Sequence, residues 1–168
     1  MTHITFPPLT EGIWQSRPNR FVVQALLGDG RIVSVHTNNT GSMMTCNQVG
    51  ARIWFSTSSN PNRKLLYTLH IVETPGGLVG VDTSVPGKAI AGALAAGELP
   101  GFAGYSLLRR EVTVVEGTRL DLELESPEGE SLLMEVKNVT LARDGVASFP
   151  DALTARGTRH VRELEHLL

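Results

Sequence analysis

Two acidic residues and a lysine in the second half of the chain have the spacing of a metal-assisted hydrolytic site. Asp121 lies in the segment TRLDLELE, and Glu135 and Lys137 lie in the segment MEVK that follows a short polar turn. A hard divalent cation such as Mg²⁺ or Mn²⁺ prefers one or two carboxylates, completed by water and phosphate oxygens. A lysine beside them could help to activate water or balance phosphorane charge. The pattern predicts Asp121 and Glu135 as metal ligands and all three residues as catalytic.

Two amphipathic strands must position these side chains. Apolar residues occupy every second position of both strands: Leu120, Leu122, Leu124, Leu132, Met134 and Val136. A one-residue slip would set leucines against charges, so burial selects the register that pairs Leu122 with Met134. The same register sets Asp121 opposite Glu135, roughly 5 Å apart at Cβ, where a cation would relieve their repulsion.

Glu111, on the preceding strand, is a further candidate metal ligand. If Val112 and Val114 join the leucine face, Glu111 faces the carboxylates, and this alternation needs a three-residue loop over 116–118. The turn chemistry does not settle the loop length. An antiparallel hairpin with an ordinary solvated outer face is the alternative interpretation of the whole segment.

A final helix is predicted from about Asp151 towards the C-terminus. Five residues with helical spacing form its buried stripe: Leu153, Gly157, Val161, Leu164 and Leu168. Arg156 and His160 flank this stripe and could reach a phosphate lying over the sheet. A solvated flank that merely borders the core is the alternative.

Length and composition indicate a globular protein of one domain or two small ones. The 168 residues carry a net charge of −2 and a single cysteine, Cys46, so an internal disulfide is excluded. No segment has the length and apolarity of a membrane span, and the start lacks the pattern of a signal peptide. A cytoplasmic location is therefore expected, with no membrane partner.

The first half of the chain is rich in strand signals. Five short strands are predicted between turn-like segments: Arg20–Leu27, Arg31–His36, Ala51–Thr57, Lys64–Val72 and Leu78–Asp82. This number favours a small closed barrel of the OB type. From Pro86 an alanine-rich helix begins, and three further strands follow: Tyr105–Val115, Arg119–Glu125 and Ser131–Val139.

The charge balance differs between the two halves. Residues 1–85 contain six Arg and Lys against four Asp and Glu, whereas residues 86–168 contain nine against thirteen. Four basic residues at strand entries could border the binding face of the barrel and track a phosphate backbone: Arg17, Arg20, Arg63 and Lys64. Aromatic residues are few, which favours binding of the backbone with little base recognition. A barrel that binds RNA or another polyanion is one alternative.

The order of several short motifs resembles the sugar fermentation stimulation protein A (SfsA) family along nearly the whole chain. These motifs are Arg17-Pro-Asn-Arg20-Phe21, His36 with Asn39-Thr40-Gly41-Ser42-Met43, Arg63-Lys64, Thr118-Arg119-Leu120-Asp121, Glu135-Val136-Lys137, Phe149-Pro150-Asp151-Ala152, Arg156-Gly157 and His160. Each motif alone is modest, but the series in this order is highly specific.

The resemblance implies an α+β protein that binds DNA. It implies an N-terminal OB-like barrel in residues 1–85 and a nuclease-like α/β domain in residues 86–168, with family metal positions at Asp121 and Glu135. An Asp followed by Glu-x-Lys on the adjacent strand is also the arrangement of the PD-(D/E)xK nucleases. A DNA-binding regulator of sugar metabolism genes that keeps the nuclease scaffold without catalysis is the alternative function.

Three departures from the family pattern stand out. Asp82 replaces a usual asparagine, and Gly87 replaces another, both near the expected domain junction. The chain also stops soon after residue 164, whereas relatives continue with further strand and helix. The nuclease-like sheet is therefore expected to be shortened at its C-terminal end, with an exposed edge or with a partner in an oligomer that covers it.

Overall fold

The computed structural model describes residues 4–115 and 118–148, together with Arg162 and Glu165. Their contacts divide them into two units. The barrel unit comprises residues 4–86 with 137–148, and the sheet unit comprises the described residues between 87 and 136. The predicted boundary between 85 and 86 lies beside this division, and 137–148 is a return segment that the sequence pattern did not indicate.

Five strands of the barrel unit close into an OB-type barrel, which confirms the predicted fold. The first six strands of this unit form one sheet: β1 (Leu9–Asn19), β2 (Val22–Leu26), β3 (Ile32–His36), β4 (Arg52–Thr57), β5 (Tyr67–Thr74) and β6 (Gly77–Gly80). Their order is β3-β2-β1-β4-β5, and a short parallel pairing of β3 with β5 closes the barrel. Because the inward side chains alternate with outward ones, residues such as Val23, Ala25 and Val35 are fully buried.

One strand of the closed barrel was not predicted. The predicted strand Arg20–Leu27 corresponds to β2, whereas β1, which begins at Leu9 and supplies the buried Trp14, was missed. Its inward position at Gly12 is held by glycine because a Cβ there would meet the Phe55 ring at 3.0 Å, so the apolar alternation is interrupted. The last predicted strand, Leu78–Asp82, corresponds to β6, which among the described residues pairs with β5 at the edge of the sheet and does not close the barrel.

The sheet unit consists of one helix and three antiparallel strands. These are α1 (Val85–Ala95), β7 (Ser106–Val115), β8 (Thr118–Glu125) and β9 (Ser131–Met134), with the strand order β7-β8-β9. Ala91 and Leu94 of α1 pack on Leu122 and Leu124 of β8. No helix in the described part of the chain is long and apolar enough to cross a membrane.

The ends of α1 follow from its sequence. Pro86 stands in the first turn, where its missing N–H is not needed. Gly97 has a φ of 66°, and the N–H groups of Gly97 and Glu98 donate to the carbonyls of Leu94 and Ala93. This is a Schellman ending, in which glycine avoids the strain of a left-handed residue.

The return segment of the barrel unit forms a small hairpin, β10 (Leu141–Arg143) and β11 (Val146–Ser148). Its two-residue turn has a φ of 51° at Asp144 and 77° at Gly145. An Asp-Gly pair is the preferred sequence for such a turn. The signal was therefore present in the sequence, although no hairpin was predicted here.

Candidate functional site: a carboxylate pair in the sheet unit and a basic rim on the barrel

The leucine face of the hairpin is buried as its alternation predicts. Leu120, Leu122 and Leu124 are at most 1% exposed, and the strand pairing matches Leu122 with Met134 and Leu124 with Leu132. The predicted register is therefore confirmed. Because side chains alternate along a strand, Asp121 faces away from the leucine core.

Asp121 lies where β9 leaves the ladder. The strand ends at Met134, earlier than the predicted Val139, so Asp121 and Glu135 do not form a ladder pair. Instead, the main-chain N–H of Val136 donates to Asp121 Oδ2 at 2.6 Å. The Asp121 carboxylate is thus held against the peptide that joins Glu135 to Val136, on two neighbouring segments of one unit.

Two other acids of this face, Glu123 and Glu111, are paired with arginines. Arg109 Nε donates to Glu123 Oε2 at 2.6 Å, and Ser131 Oγ donates to the other oxygen of Glu123 at 3.0 Å. Arg119 Nε lies 2.9 Å from a carboxylate oxygen of Glu111. These cross-strand pairs of opposite charge neutralise much of the face that the sequence presents as repulsive.

Glu111 does not join Asp121 and Glu135 in a three-residue metal cluster. It has a φ of 56° and is skipped in the pairing of β7 with β8, while its carboxylate is engaged by Arg119. The sequence left the loop length open. Thr118 pairs with Val115, so the three-residue loop is not formed, and register shifts in β7 restore the alternation instead. Among the described residues, no three His, Cys, Asp or Glu side chains gather closely enough to hold an ion.

Lys137 is exposed and begins the segment that belongs to the barrel unit. It follows Glu135 by two residues along the chain. Arg156 and His160 lie outside the described residues, as does most of the predicted final helix. The two described positions there, Arg162 and Glu165, are helical.

The Arg17 side chain is hydrogen-bonded within the barrel unit. Its guanidinium donates to the carbonyls of Asn39 at 2.8 Å, Gly41 at 3.0 Å and Arg20 at 3.0 Å. Burial lowers the pKa of Arg17 from its ordinary value, although an arginine stays protonated at any physiological pH. We therefore assign to Arg17 the ordering of the 39–42 loop rather than the phosphate contact that its sequence position suggested.

The other three predicted basic residues stand on two loops of the barrel. Arg20 and Phe21 form the turn between β1 and β2, and the Arg20 guanidinium lies 5.0 Å from the centroid of the Phe21 ring. Arg63 Nη1 donates to Thr68 Oγ1 at 3.0 Å, and Lys64 beside it is exposed. These loops correspond to the two that flank the binding face of OB barrels.

A buried polar network in the barrel unit was missed from the sequence. Ser56 Oγ lies 2.7 Å from His70 Nε2, and His70 Nδ1 lies 2.8 Å from Asp82 Oδ2. Asn38 Nδ2 and both the N–H and the hydroxyl of Ser84 donate to Asp82 Oδ1. Ser56, His70 and Asp82 are distant in sequence, on β4, on β5 and after β6. No local sequence pattern could therefore indicate that they are in contact.

The order Ser–His–Asp is that of a nucleophilic triad, but burial favours a structural role. Ser56, His70 and Asp82 are 5–7% exposed, and the Ser56 backbone pairs with strands on both sides. Burial alone would raise the pKa of Asp82, but the hydrogen bonds from His70, Asn38 and Ser84 outweigh it and hold that pKa well below the ordinary value. The departure from the family's asparagine is thus accommodated by four donors.

A closed OB barrel followed by an α+β unit with one helix on a three-stranded sheet defines the class of this protein. Residues 16–81 match the SfsA N-terminal OB domain, and residues 84–168 match the sugar fermentation stimulation protein RE domain. The chain belongs to the sugar fermentation stimulation protein (SfsA) family, as its motifs predicted.

Individual relatives support this assignment over most of the chain. The sugar fermentation stimulation protein homolog of Rhodospirillum centenum is 47% identical over 161 residues, which cover 95% of this chain and 69% of that protein. The homolog of Pseudomonas paraeruginosa is 46% identical over 165 residues, with 96% and 70% covered. A structure of Pyrococcus furiosus SfsA in complex with Ca²⁺ superposes with a TM-score of 0.87 at 29% identity, covering 99% of this chain and 70% of that one.

Proposed function

We propose that this protein binds DNA and carries a divalent-metal-dependent phosphodiesterase site of the PD-(D/E)xK type. The observation that carries the proposal is the attachment of the Asp121 carboxylate to the Val136 N–H, which holds it next to the peptide of Glu135. A purely structural hairpin has no need of two acids at this point, because like charges on neighbouring strands destabilise the pair.

The donor set fits a hard cation. Both side chains offer carboxylate oxygens and both are partly buried. Mg²⁺ and Mn²⁺ accept one or two carboxylates and take their remaining ligands from water and phosphate. The Ca²⁺ complex of the similar Pyrococcus furiosus protein supports a cation here, since Ca²⁺ uses the same ligand type.

Each residue has a defined part in this proposal. Asp121 and Glu135 would hold Mg²⁺ or Mn²⁺, which when bound supplies Lewis-acid chemistry to a phosphodiester. Lys137 would assist the attacking water or balance negative charge on the phosphate. Arg156 and His160 stay predicted phosphate contacts, and Glu111 is left out because Arg119 engages it.

Cation binding and plasmid cleavage test this proposal together. Calorimetry with Mn²⁺ and cleavage assays with Mg²⁺ or Mn²⁺ are run on the wild type, Asp121→Asn and Glu135→Gln. Both variants should lose cation binding by more than the roughly 10- to 100-fold typical of residues that only support a ligand. Glu125→Gln, an exposed acid on the same strand, is the matched control. Wild-type cation binding by Asp121→Asn would refute the site.

The second candidate function is a DNA-binding regulator without catalysis. The lack of a three-residue ligand cluster in the described part of the chain favours it. Tight DNA binding without cleavage in either metal would select this function. We also propose a cytoplasmic location, which the single buried cysteine supports, and an oligomer stays a prediction.

A further inference from the structure

The rim of the barrel displays an aromatic ring whose backbone is fixed on both sides. The N–H of Phe21 donates to Asn19 Oδ1 at 2.9 Å, and its carbonyl accepts from the Thr37 N–H at 2.9 Å. The carbonyl of Arg20 accepts from Arg17 in the same turn. Phe21 is nevertheless 43% exposed, so its ring is accessible to a ligand while its backbone is fixed.

A continuous path leads from this ring to the basic loop between β4 and β5. Val22, next to Phe21, pairs with His36 on β3, and His36 pairs in turn with Thr68 on β5. Thr68 accepts a hydrogen bond from Arg63, whose neighbour Lys64 is exposed. With strands about 4.8 Å apart, the path from β2 to β5 spans about 10 Å.

The face beside this path has no acidic side chain to repel phosphate. The outward residues of β2 and β3 are all described: Val22, Gln24, Leu26, Ile32, Ser34 and His36. None of them is acidic. The nearest acid along β2 and β3 is Asp29 in their connecting turn, where it is neutralised by Arg31 at 2.8 Å.

We infer that this surface, from Arg20 and Phe21 across His36 to Arg63 and Lys64, binds single-stranded DNA in preference to duplex. The inference rests on the proposed DNA-binding function and adds the form of the ligand. An exposed ring stacks only on a base that is not already stacked within a duplex, whereas the cations bind the phosphates of either form. The Arg20 guanidinium on the ring extends the platform, since arginine also stacks on bases.

Fluorescence anisotropy with oligonucleotides in EDTA tests the inference without hydrolysis. A single-stranded oligonucleotide should bind at least about tenfold more tightly than a duplex of equal length. Phe21→Ala should weaken single-strand binding about 5- to 150-fold, the equivalent of one lost stacking contact, and leave duplex binding within twofold. Phe21→Trp should restore it, because a larger ring still stacks.

Two matched variants separate stacking and charge from general effects. Leu78→Ala removes another exposed apolar side chain, 63% exposed on β6, and should change nothing. Lys64→Ala should lower the slope of log K against log salt by about 0.7 for the lost phosphate contact, whereas Lys88→Ala, at an exposed position of α1, should not. Circular dichroism confirms that each variant is folded.

The outcomes distinguish this inference from the proposed function. Equal or tighter binding of duplex, or a Phe21→Ala variant with wild-type affinity for single strands, would overturn the inference. Tighter binding of an RNA of the same sequence would overturn the assignment to DNA. In each case the proposed hydrolytic role of Asp121 and Glu135 would be unaffected, because the plasmid-cleavage assay tests it separately. Failure to bind any oligonucleotide would instead remove the DNA-binding part of the proposed function.

Discussion

Asp82 in the barrel unit and Asp121 in the sheet unit show two ways of using an aspartate. Asp82 is 5% exposed and accepts hydrogen bonds from His70, Asn38 and Ser84. Asp121 is half-buried and accepts from the Val136 N–H, which places it against the peptide of another acid, Glu135. A carboxylate surrounded by donors stabilises a fold, whereas one held against the peptide of a second acid is the arrangement on which the proposed cation site rests.

Substitutions at the two sites should have opposite kinds of effect. Changes at Asp82 should alter the free energy of unfolding and leave cation binding unchanged, because its partners belong to the barrel unit. Changes at the proposed hydrolytic site should alter chemistry with little effect on stability.

Replacement of Lys137 by alanine should lower activity strongly while the protein still binds the cation. Removing a group that assists proton transfer typically lowers a rate about 10²- to 10⁴-fold. Plasmid cleavage in Mn²⁺ should fall by this amount, while Mn²⁺ affinity measured by calorimetry stays within twofold. Lys88→Ala, on an exposed position of α1, is the control. Unchanged cleavage by Lys137→Ala would remove its proposed role.

Replacement of Asp82 by alanine should have the largest effect on stability. It leaves the buried His70 and the partly buried Asn38 without their acceptor, and an unsatisfied buried polar group typically costs about 1–3 kcal/mol. Urea unfolding measures the loss. The matched control is Asp29→Ala, whose exposed pair with Arg31 should contribute at most about 1 kcal/mol. A loss below 1 kcal/mol at Asp82 would show that the network is not a stabilising element.

The pH dependence of the free energy of unfolding provides a second test of the stabilising contribution of Asp82. Because its pKa is lower in the folded than in the unfolded protein, its contribution is present above the unfolded value near 3.9 and is lost as pH falls towards the folded value. Below about pH 5, the stability difference between wild type and Asp82→Asn should shrink, by at most about 1.4 kcal/mol per pH unit. A difference that stays constant from pH 6 to pH 3 would contradict this.

Replacement of Arg109 by alanine should have the smallest effect. The Arg109 side chain is 68% exposed and its pair with Glu123 is screened by solvent, so the loss should be about 0.5–1 kcal/mol. Cation affinity should not change, since Glu123 is outside the proposed ligand pair. Thermal unfolding and calorimetry measure the two quantities. A substantial gain or loss of cation affinity would extend the site to Glu123.

The sheet unit was the more predictable part of the fold. Its middle strand, β8, alternates apolar and charged residues without interruption, so the burial of Leu122 and its pairing with Met134 could be foreseen. In the barrel, β1 was missed because the inward position at Gly12 carries no side chain, and close packing by Phe55 takes its place. A contact of this kind, between strands that are far apart in sequence, cannot be predicted from a local sequence pattern.

The candidate sites were predictable in residue type but less so in geometry. The register predicted Asp121 opposite Glu135, yet the ladder ends at Met134, and the observed contact of Asp121 is a hydrogen bond from the main-chain N–H of Val136. Arg17 was expected to face a phosphate, but three carbonyls of its own chain occupy its guanidinium. Phe21 was counted only as one of a few aromatic residues, because its fixed backbone depends on Thr37.

The sequence by itself determined the family, the barrel class, the leucine-faced hairpin and the identity of the acids on its other face. These features depend on the local alternation of residue types and on the order of motifs, both of which are visible in the sequence. Only the tertiary structure decided which charged side chains are paired with other groups of the protein. Arg17, Glu111 and Asp82 take their partners from other strands or loops. Such partners are fixed by how the strands pack, because hydrogen bonds and ion pairs form between groups that folding brings within about 3 Å.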